Sequence, residues 1–154
     1  EDRGTAVQII WSIYLCNFAA LMEAILTDFP KTLDWDLAAW LGLTGVLGGL
    51  LLRSWAVVTL GRWFTWNVRL QDGQEVIQHG PYRLVRHPSY TGALATYLFL
   101  PLWLHSWWSL GLALVVLPLA FLRRIRHEEQ LLEMQLQGYT DYKARTKALI
   151  PWLL

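Results

Sequence analysis

Residues 89–122 read SYTGALATYLFLPLWLHSWWSLGLALVVLPLAFL, 34 consecutive positions without a charged side chain. A bilayer core takes about 20 apolar helical residues, and this run at ~1.5 Å per residue is about 50 Å of helix, too long for one crossing. Two shorter helices folded back on each other fit the run better. The break falls at Leu104-His105-Ser106, after Pro101 has weakened the preceding turn, because His and Ser are polar enough to surface at a membrane edge. Working outward, uncharged runs before this stretch give two further spans. The expectation is an all-α integral membrane protein with about four transmembrane helices, over residues 6–26, 37–60, 89–104 and 107–124, the last two a helical hairpin. A loop, 61–88, and a cytoplasmic C-terminal segment, 125–154, complete a single domain. No basic leader and small-residue cleavage site mark the first run as a signal peptide.

The positive charges agree with an even number of crossings. Arg62, Arg69, Arg83 and Arg86 lie between the second and third spans, and Arg123, Arg124, Arg126, Lys143, Arg145 and Lys147 follow the fourth. Four crossings put both clusters, with both termini, on the cytoplasmic side; reading 89–122 as one helix splits them across the membrane, against the positive-inside rule. The outer side receives Asp28, Lys31, Asp34, Asp36 and His105. Trp35, Trp40, Trp103, Trp107 and Trp108 fall near that boundary, and Trp63 and Trp66 near the inner one, as an aromatic belt requires.

Composition excludes the obvious alternatives. The chain has 154 residues, 55% hydrophobic, 14% aromatic and 16% charged, where soluble domains carry about a quarter charged residues. A net charge of +1 gives no electrostatic reason for a nucleic-acid partner, and the single cysteine, Cys16, excludes an internal disulfide and a multi-thiolate metal site. His79 and His127 have no matching ligand set, so no metal is expected. Within the spans, Glu23 reads as a snorkelling side chain, and Arg53 as either snorkelling or facing an inner cavity. Gly42, Gly45, Gly48 and Gly49 read as a close helix-packing face within the monomer.

The cytoplasmic loop carries the chemistry. It holds Gly80-Pro81-Tyr82 and then Arg86-His87-Pro88-Ser89-Tyr90-Thr91-Gly92, in which Pro88 sits at a tolerated first helical position. The amide donors of that helix start form a candidate anion site, with His87 and Tyr90 at its solvent-facing end. After the fourth span, Arg123-Arg124-Ile125-Arg126-His127-Glu128-Glu129 places Arg124 and Glu128 at i and i+4, on one helical face.

These motifs, followed by Gly138-Tyr139, Tyr142 and Ile150-Pro151, together resemble the isoprenylcysteine carboxyl methyltransferase family of membrane enzymes. The resemblance covers roughly residues 60–154. It implies S-adenosylmethionine as cofactor, with S-adenosylhomocysteine as product, in a cytoplasm-facing pocket capped by the loop and by amphipathic C-terminal helices. Carried over by position, cofactor contacts fall on Asn67, Gln74, Glu75, Val76, Ile77, Tyr82, His87, Pro88, Ser89, Tyr90 and Glu128. Arg124 matches the family's substrate arginine and, with Glu128, is the catalytic candidate. Many members have His where this chain has Gln74. The chain is shorter than the eukaryotic enzymes, which points to a prokaryotic relative in an inner or plasma membrane.

Elementary chemistry agrees with these roles. S-adenosylmethionine needs donors for its carboxylate, an acceptor for its ammonium or ribose, and aromatic or apolar walls. His87 and the helix start answer the first need, Glu128 the second, and Tyr82, Tyr90, Val76 and Ile77 the third. A carboxylate acceptor requires alignment by Arg124 but no base; a phenol or amine on a lipid requires one, and Glu128 or Glu129 is the candidate. The resemblance implies a lipophilic or lipidated substrate, most simply an isoprenylcysteine carboxylate. The alternatives are another lipid acceptor, or an NADPH-dependent oxidoreductase like the membrane sterol reductases. Singly, His87 also reads as a helix cap, Arg123, Arg124 and Arg126 as anchors on anionic membrane lipid, and Glu128-Glu129 as a solvated face. Tyr139 and Tyr142, with Leu131, Leu132 and Leu136, read as packing residues of the tail.

Overall fold

A computed structural model describes residues 4–27, 35–65 and 70–151. Asn67, Trp66 and Arg69, and Asp28, Lys31 and Asp34, which are expected on the outer side, lie outside the described residues. The chain is helical, with α1 Thr5–Leu26, α2 Leu37–Leu60, α3 Pro88–Trp103, α4 Trp107–Gln135 and α5 Tyr139–Arg145. Single tight turns follow α2, at Gly61–Trp63, and precede α3, at Gly80–Arg83. Three helices are long and apolar enough to cross a membrane: α1, α2 with the turn after it, and α4. The 89–122 run is interrupted at 104–106, between α3 and α4. His105 adopts φ 54° there, and Ser106 N–H reaches back to the Pro101 carbonyl at 2.8 Å.

α2 and α3 make the most intimate contact because glycines remove the side chains that would hold them apart. A Cβ on Gly42 would sit 2.4 Å from the Trp103 backbone, one on Gly45 2.2 Å from the Phe99 ring, and one on Gly49 2.5 Å from Thr96 Oγ1. Gly92 of α3 answers from the other side, 2.6 Å from the Gly49 carbonyl on the same construction. The glycine face therefore packs within the chain, as its spacing implies; Gly48 alone faces open space.

α1 packs chiefly on α4, and the core between them and α3 is built from Cys16, Ala93, Ala113, Leu117 and Phe121. Here one expectation is corrected. Glu23 does not snorkel: its carboxylate accepts from Trp108 N–H (3.0 Å), Ser109 N–H (2.8 Å) and Ser109 Oγ–H (2.7 Å), capping the start of α4. An anion belongs at that position, where the first amides of a helix lack intrahelical acceptors and the macrodipole is positive. Ser106 Oγ–H adds a bond to the Ala20 carbonyl at 2.7 Å, so the C-terminal end of α1 and the N-terminal end of α4 are tied together. At the same end Asp36 caps α2 through Ala39 N–H (2.8 Å) and meets His105 Nε2 at 3.1 Å.

The segment after residue 124 begins no new helix. α4 continues without a break to Gln135, about 44 Å in all at ~1.5 Å per residue, and so carries Arg124, Glu128 and Glu129 on one rigid rod. Leu136 is extended and Gly138 takes a left-handed conformation (φ 82°) that turns the chain into α5. Leu136, Tyr139 and Tyr142 then pack on Leu70, Val76 and Leu132, joining the tail to the loop.

Candidate active site

The loop before α3 is held from three directions. Pro81 and Tyr82 are buried in the turn at 80–83, and Tyr142 Oη–H donates to the Tyr82 carbonyl at 2.6 Å. Residues 85–87 run parallel to 147–148: Val85 bridges Lys147, Arg86 N–H donates to the Lys147 carbonyl (2.8 Å), and His87 N–H to the Ala148 carbonyl (3.0 Å). Thr91 Oγ–H completes the strap on the Leu149 carbonyl at 2.8 Å.

The third tie is ionic and centres on Glu129. Its Oε1 receives Arg86 Nε at 2.7 Å and lies 3.1 Å from His87 Nε2, and its Oε2 faces Lys143 Nζ at 3.0 Å. A carboxylate flanked by two cations is an acceptor only, so His87 holds its proton on Nε2 and donates it. Arg86 also donates to the carbonyls of Lys143 (3.2 Å) and Thr146. Lys143 further pairs with Glu133, which holds the ammonium above the ordinary lysine range. With only 7% of Glu129 exposed, this cluster locks loop, α4 and α5 together.

Beside the cluster lies a cavity of about 830 Å³. Gln74, Glu75, Val76, Ile77 and Tyr82 line it from the loop, with His87, Ser89 and Tyr90 from the start of α3 and Arg124 and Glu128 from α4. Of the expected cofactor residues, Pro88 alone among those described is not in its wall; it is buried at the first position of α3. Arg53 also lines the cavity, with Nη1 3.4 Å from the Ser89 carbonyl, so of its two readings it faces a cavity. Gln74 turns its side-chain oxygen to Gln71 N–H at 3.1 Å, and thereby shapes the loop.

Tyr90 is the centre of the cavity's polar wall. Its hydroxyl donates to Glu128 Oε2 at 2.6 Å and accepts from Arg124 Nε at 3.3 Å. The ring stacks on His87, with centroids 5.5 Å apart, and meets Phe121 edge-on at 5.7 Å. Arg124, 3% exposed, reaches past Tyr90 to Thr5 Oγ1 of α1 at 2.9 Å. A cation and a carboxylate one helical turn apart are thus joined through a phenol from another helix, which aims both into one space.

Three expectations change. His87 is not at a solvent-facing helix start: it is 6% exposed, its ring is spent on Glu129 and its amide on the tail. The helix start is also poorer in donors than a free N-terminus, because Pro88 has none and the Tyr90 and Thr91 amides bond to the His87 carbonyl, both at 3.0 Å. The two carboxylates separate in role: Glu129 is consumed by the cluster, and Glu128 faces the cavity.

Tyr139 and Tyr142 line the cavity besides packing, which the sequence reading missed; the Gly138-Tyr139 and Tyr142 motif was the available signal. Tyr139 Oη is buried without a hydrogen-bond partner. Burial raises the Tyr139 and Tyr82 phenols well above the ordinary tyrosine range, with Glu129 and Glu128 respectively adding to it, so both rings stay protonated donors. Burial likewise pushes Tyr142 up to about 12, against the opposing charge of Arg86.

Comparison with known proteins agrees with this geometry. Residues 40–134 match the isoprenylcysteine carboxyl methyltransferase (ICMT) family. A probable protein-S-isoprenylcysteine O-methyltransferase of Oryza sativa subsp. indica is 34% identical over 149 residues, which is 95% of this chain and 77% of the relative. Protein-S-isoprenylcysteine O-methyltransferase B of Arabidopsis thaliana is 31% identical over 115 residues, covering 73% of this chain and 58% of the relative. The uncharacterized protein YpbQ of Bacillus subtilis is 25% identical over 125 residues, 80% of this chain and 72% of its own length. With the matched segment taking in the α2–α3 glycine face, the loop and the Arg124–Glu129 stretch, the chain belongs to the isoprenylcysteine carboxyl methyltransferase family.

Proposed function

We propose that the protein methylates the carboxylate of an isoprenylcysteine-type lipophilic acceptor at a membrane, with S-adenosylmethionine as donor. The observation that carries the reading is the Arg124–Tyr90–Glu128 chain, which sets a cation and a carboxylate side by side in one cavity. That cavity runs from loop and tail residues such as Val76, Tyr82 and Tyr139 to Ile9, Ile13 and Tyr14 of α1. One end is therefore polar and aromatic, and the other is walled by a helix long and apolar enough to lie in lipid.

The residues present fit the cofactor. The unpartnered Tyr139 hydroxyl and the Glu128 carboxylate meet its polar groups, and Val76, Ile77, Tyr82, Leu132 and Leu136 supply walls for its adenine. When bound, S-adenosylmethionine supplies a methyl on a sulfonium: the acceptor carboxylate oxygen takes it, the S–CH₃ bond breaks as the O–CH₃ bond forms, and S-adenosylhomocysteine is released. Arg124, aimed by Tyr90 and Thr5, holds the acceptor carboxylate through its guanidinium donors. A carboxylate brings its own electron pair, so Glu128 serves in binding and orientation and moves no proton. In the membrane α3, at 16 residues about 24 Å long, makes a fourth crossing as a hairpin with α4, and the loop, tail and cavity face the cytoplasm.

The test is equilibrium binding of S-adenosylhomocysteine and of NADPH to the detergent-purified protein, beside methylation of a prenylcysteine analogue. Binding of the first with methyl transfer supports the reading. Binding of NADPH and not S-adenosylhomocysteine overturns it in favour of a reductase.

A further inference from the structure

We propose that a second cavity, on another face of α4, holds the headgroup phosphate of an anionic phospholipid. It encloses about 410 Å³ between Thr5 at the start of α1 and Leu119, Leu122, Arg123, Arg126 and Gln130 of α4. The α4 residues recur at three- and four-residue intervals and so share one helical face. Along that face the character changes from apolar to cationic within about 10 Å, the rise from residue 119 to residue 126 at ~1.5 Å each. Leu119, 64% exposed, and Leu122, the last residue of the uncharged run, form its apolar end; Arg123 and Arg126 are the first charges after it on this face.

The charge is available to a ligand. Arg123 and Arg126 are both exposed, and no carboxylate among the described residues pairs with either. Neighbouring Arg124 points the other way and is buried in the first cavity, so three arginines in four positions divide between two sites. Two guanidinium groups one turn apart form a fork suited to phosphate oxygens. The leucines below them choose the source: a free phosphate has no use for Leu119 and Leu122, whereas a phospholipid places its acyl chain there and its phosphate at the arginines. Thr5 lines this cavity while its hydroxyl accepts from Arg124 at 2.9 Å, so the lipid seat and the catalytic cavity share a wall.

The inference rests on the membrane placement proposed above, and recovery of the protein in carbonate-washed membranes checks that placement separately. The experiment is native mass spectrometry of the detergent-purified protein titrated with phosphatidylglycerol or phosphatidylcholine. The expected result is one tightly retained phosphatidylglycerol, weakened about 30-fold in Arg123→Gln/Arg126→Gln, for two charges each acting near an anionic headgroup. Arg62→Gln/Arg83→Gln removes the same charge from the same side and should retain the lipid. Arg123→Lys/Arg126→Lys keeps the charge without the fork and should fall between, and it stands in if the glutamine pair fails to fold. Equal loss in the Arg62/Arg83 control, equal retention of phosphatidylcholine, or displacement of the lipid by millimolar inorganic phosphate each overturns the proposal.

Discussion

Replacing Tyr90 by Phe removes one oxygen and one proton from the middle of the cavity and nothing else. The ring keeps its neighbours, since the stack on His87 and the edge contact with Phe121 involve carbon atoms. What is lost is the 2.6 Å donor to Glu128 and the 3.3 Å acceptor for Arg124. A hydrogen bond to a charged group contributes about 1.5–3 kcal/mol, so loss of the first alone corresponds to about 10- to 150-fold. If Glu128 reaches the cofactor from the orientation Tyr90 gives it, that energy is a coupling between the two residues. The assay is calorimetric titration of S-adenosylhomocysteine into the parent, Tyr90→Phe, Glu128→Gln and the double variant. Each single change should weaken binding, and the double should be little worse than either. Effects that add to within about 0.5 kcal/mol, or wild-type affinity in Tyr90→Phe with unchanged helix content, refute the reasoning.

Arg124→Lys keeps the charge but cannot reach Tyr90 and Thr5 with one planar group, so turnover on a prenylcysteine analogue should fall at least about tenfold, with a much smaller change in cofactor affinity; full turnover rejects the clamp. Gly49→Ala drives a methyl against Thr96 Oγ1 and the Gly92 carbonyl and should lower stability by about 1–3 kcal/mol, whereas Gly48→Ala, facing open space, should leave the melting temperature unchanged or raise it; equal melting temperatures for the two contradict the packing described. The raised Tyr142 phenol stabilises the fold fully below the unfolded tyrosine value near pH 10, and that contribution is lost as pH rises from about 10 to about 12. Tyr142→Phe should accordingly flatten the alkaline fall in stability, measured by chemical denaturation across that window, while Tyr82 and Tyr139 leave a residual fall of the same sign.

Helix positions were legible because hydropathy and chain length are local quantities. The bounds of α1, α2 and α3 lie within about two residues of those expected; length requires an interruption of the 89–122 run, and Pro101 with the polar His105 and Ser106 locates it at 104–106. Arg124 and Glu128 could be placed on one face by counting along a single helix. Partnerships between helices could not. Glu23 reads from its own helix as a snorkelling side chain, yet its partner is the start of α4, 86 positions away at Ser109. Glu129 shows the same limit: adjacent to Glu128 and chemically identical, it is separated from it only by what the loop before α3 and α5 bring to its side of the helix. His87 was sited by its helix-start motif, but its burial depends on Ala148, which no local pattern connects to it.

The strap of residues 146–149 across 85–91 also sets an order of events during synthesis. Arg86 and His87 point their amides at carbonyls of residues 147 and 148, so the wall of the cavity has no partner for these groups until the ribosome has released that segment. The apolar helices can insert and pair while the loop waits in an unfinished state, its arginine and histidine hydrated and Glu129 exposed. Closure therefore waits on this segment, and with it Arg86 exchanges hydration for Glu129 and the carbonyls of Lys143 and Thr146 at once. A nascent chain halted before residue 146 would hold all its long apolar helices and still lack the strap that secures this wall.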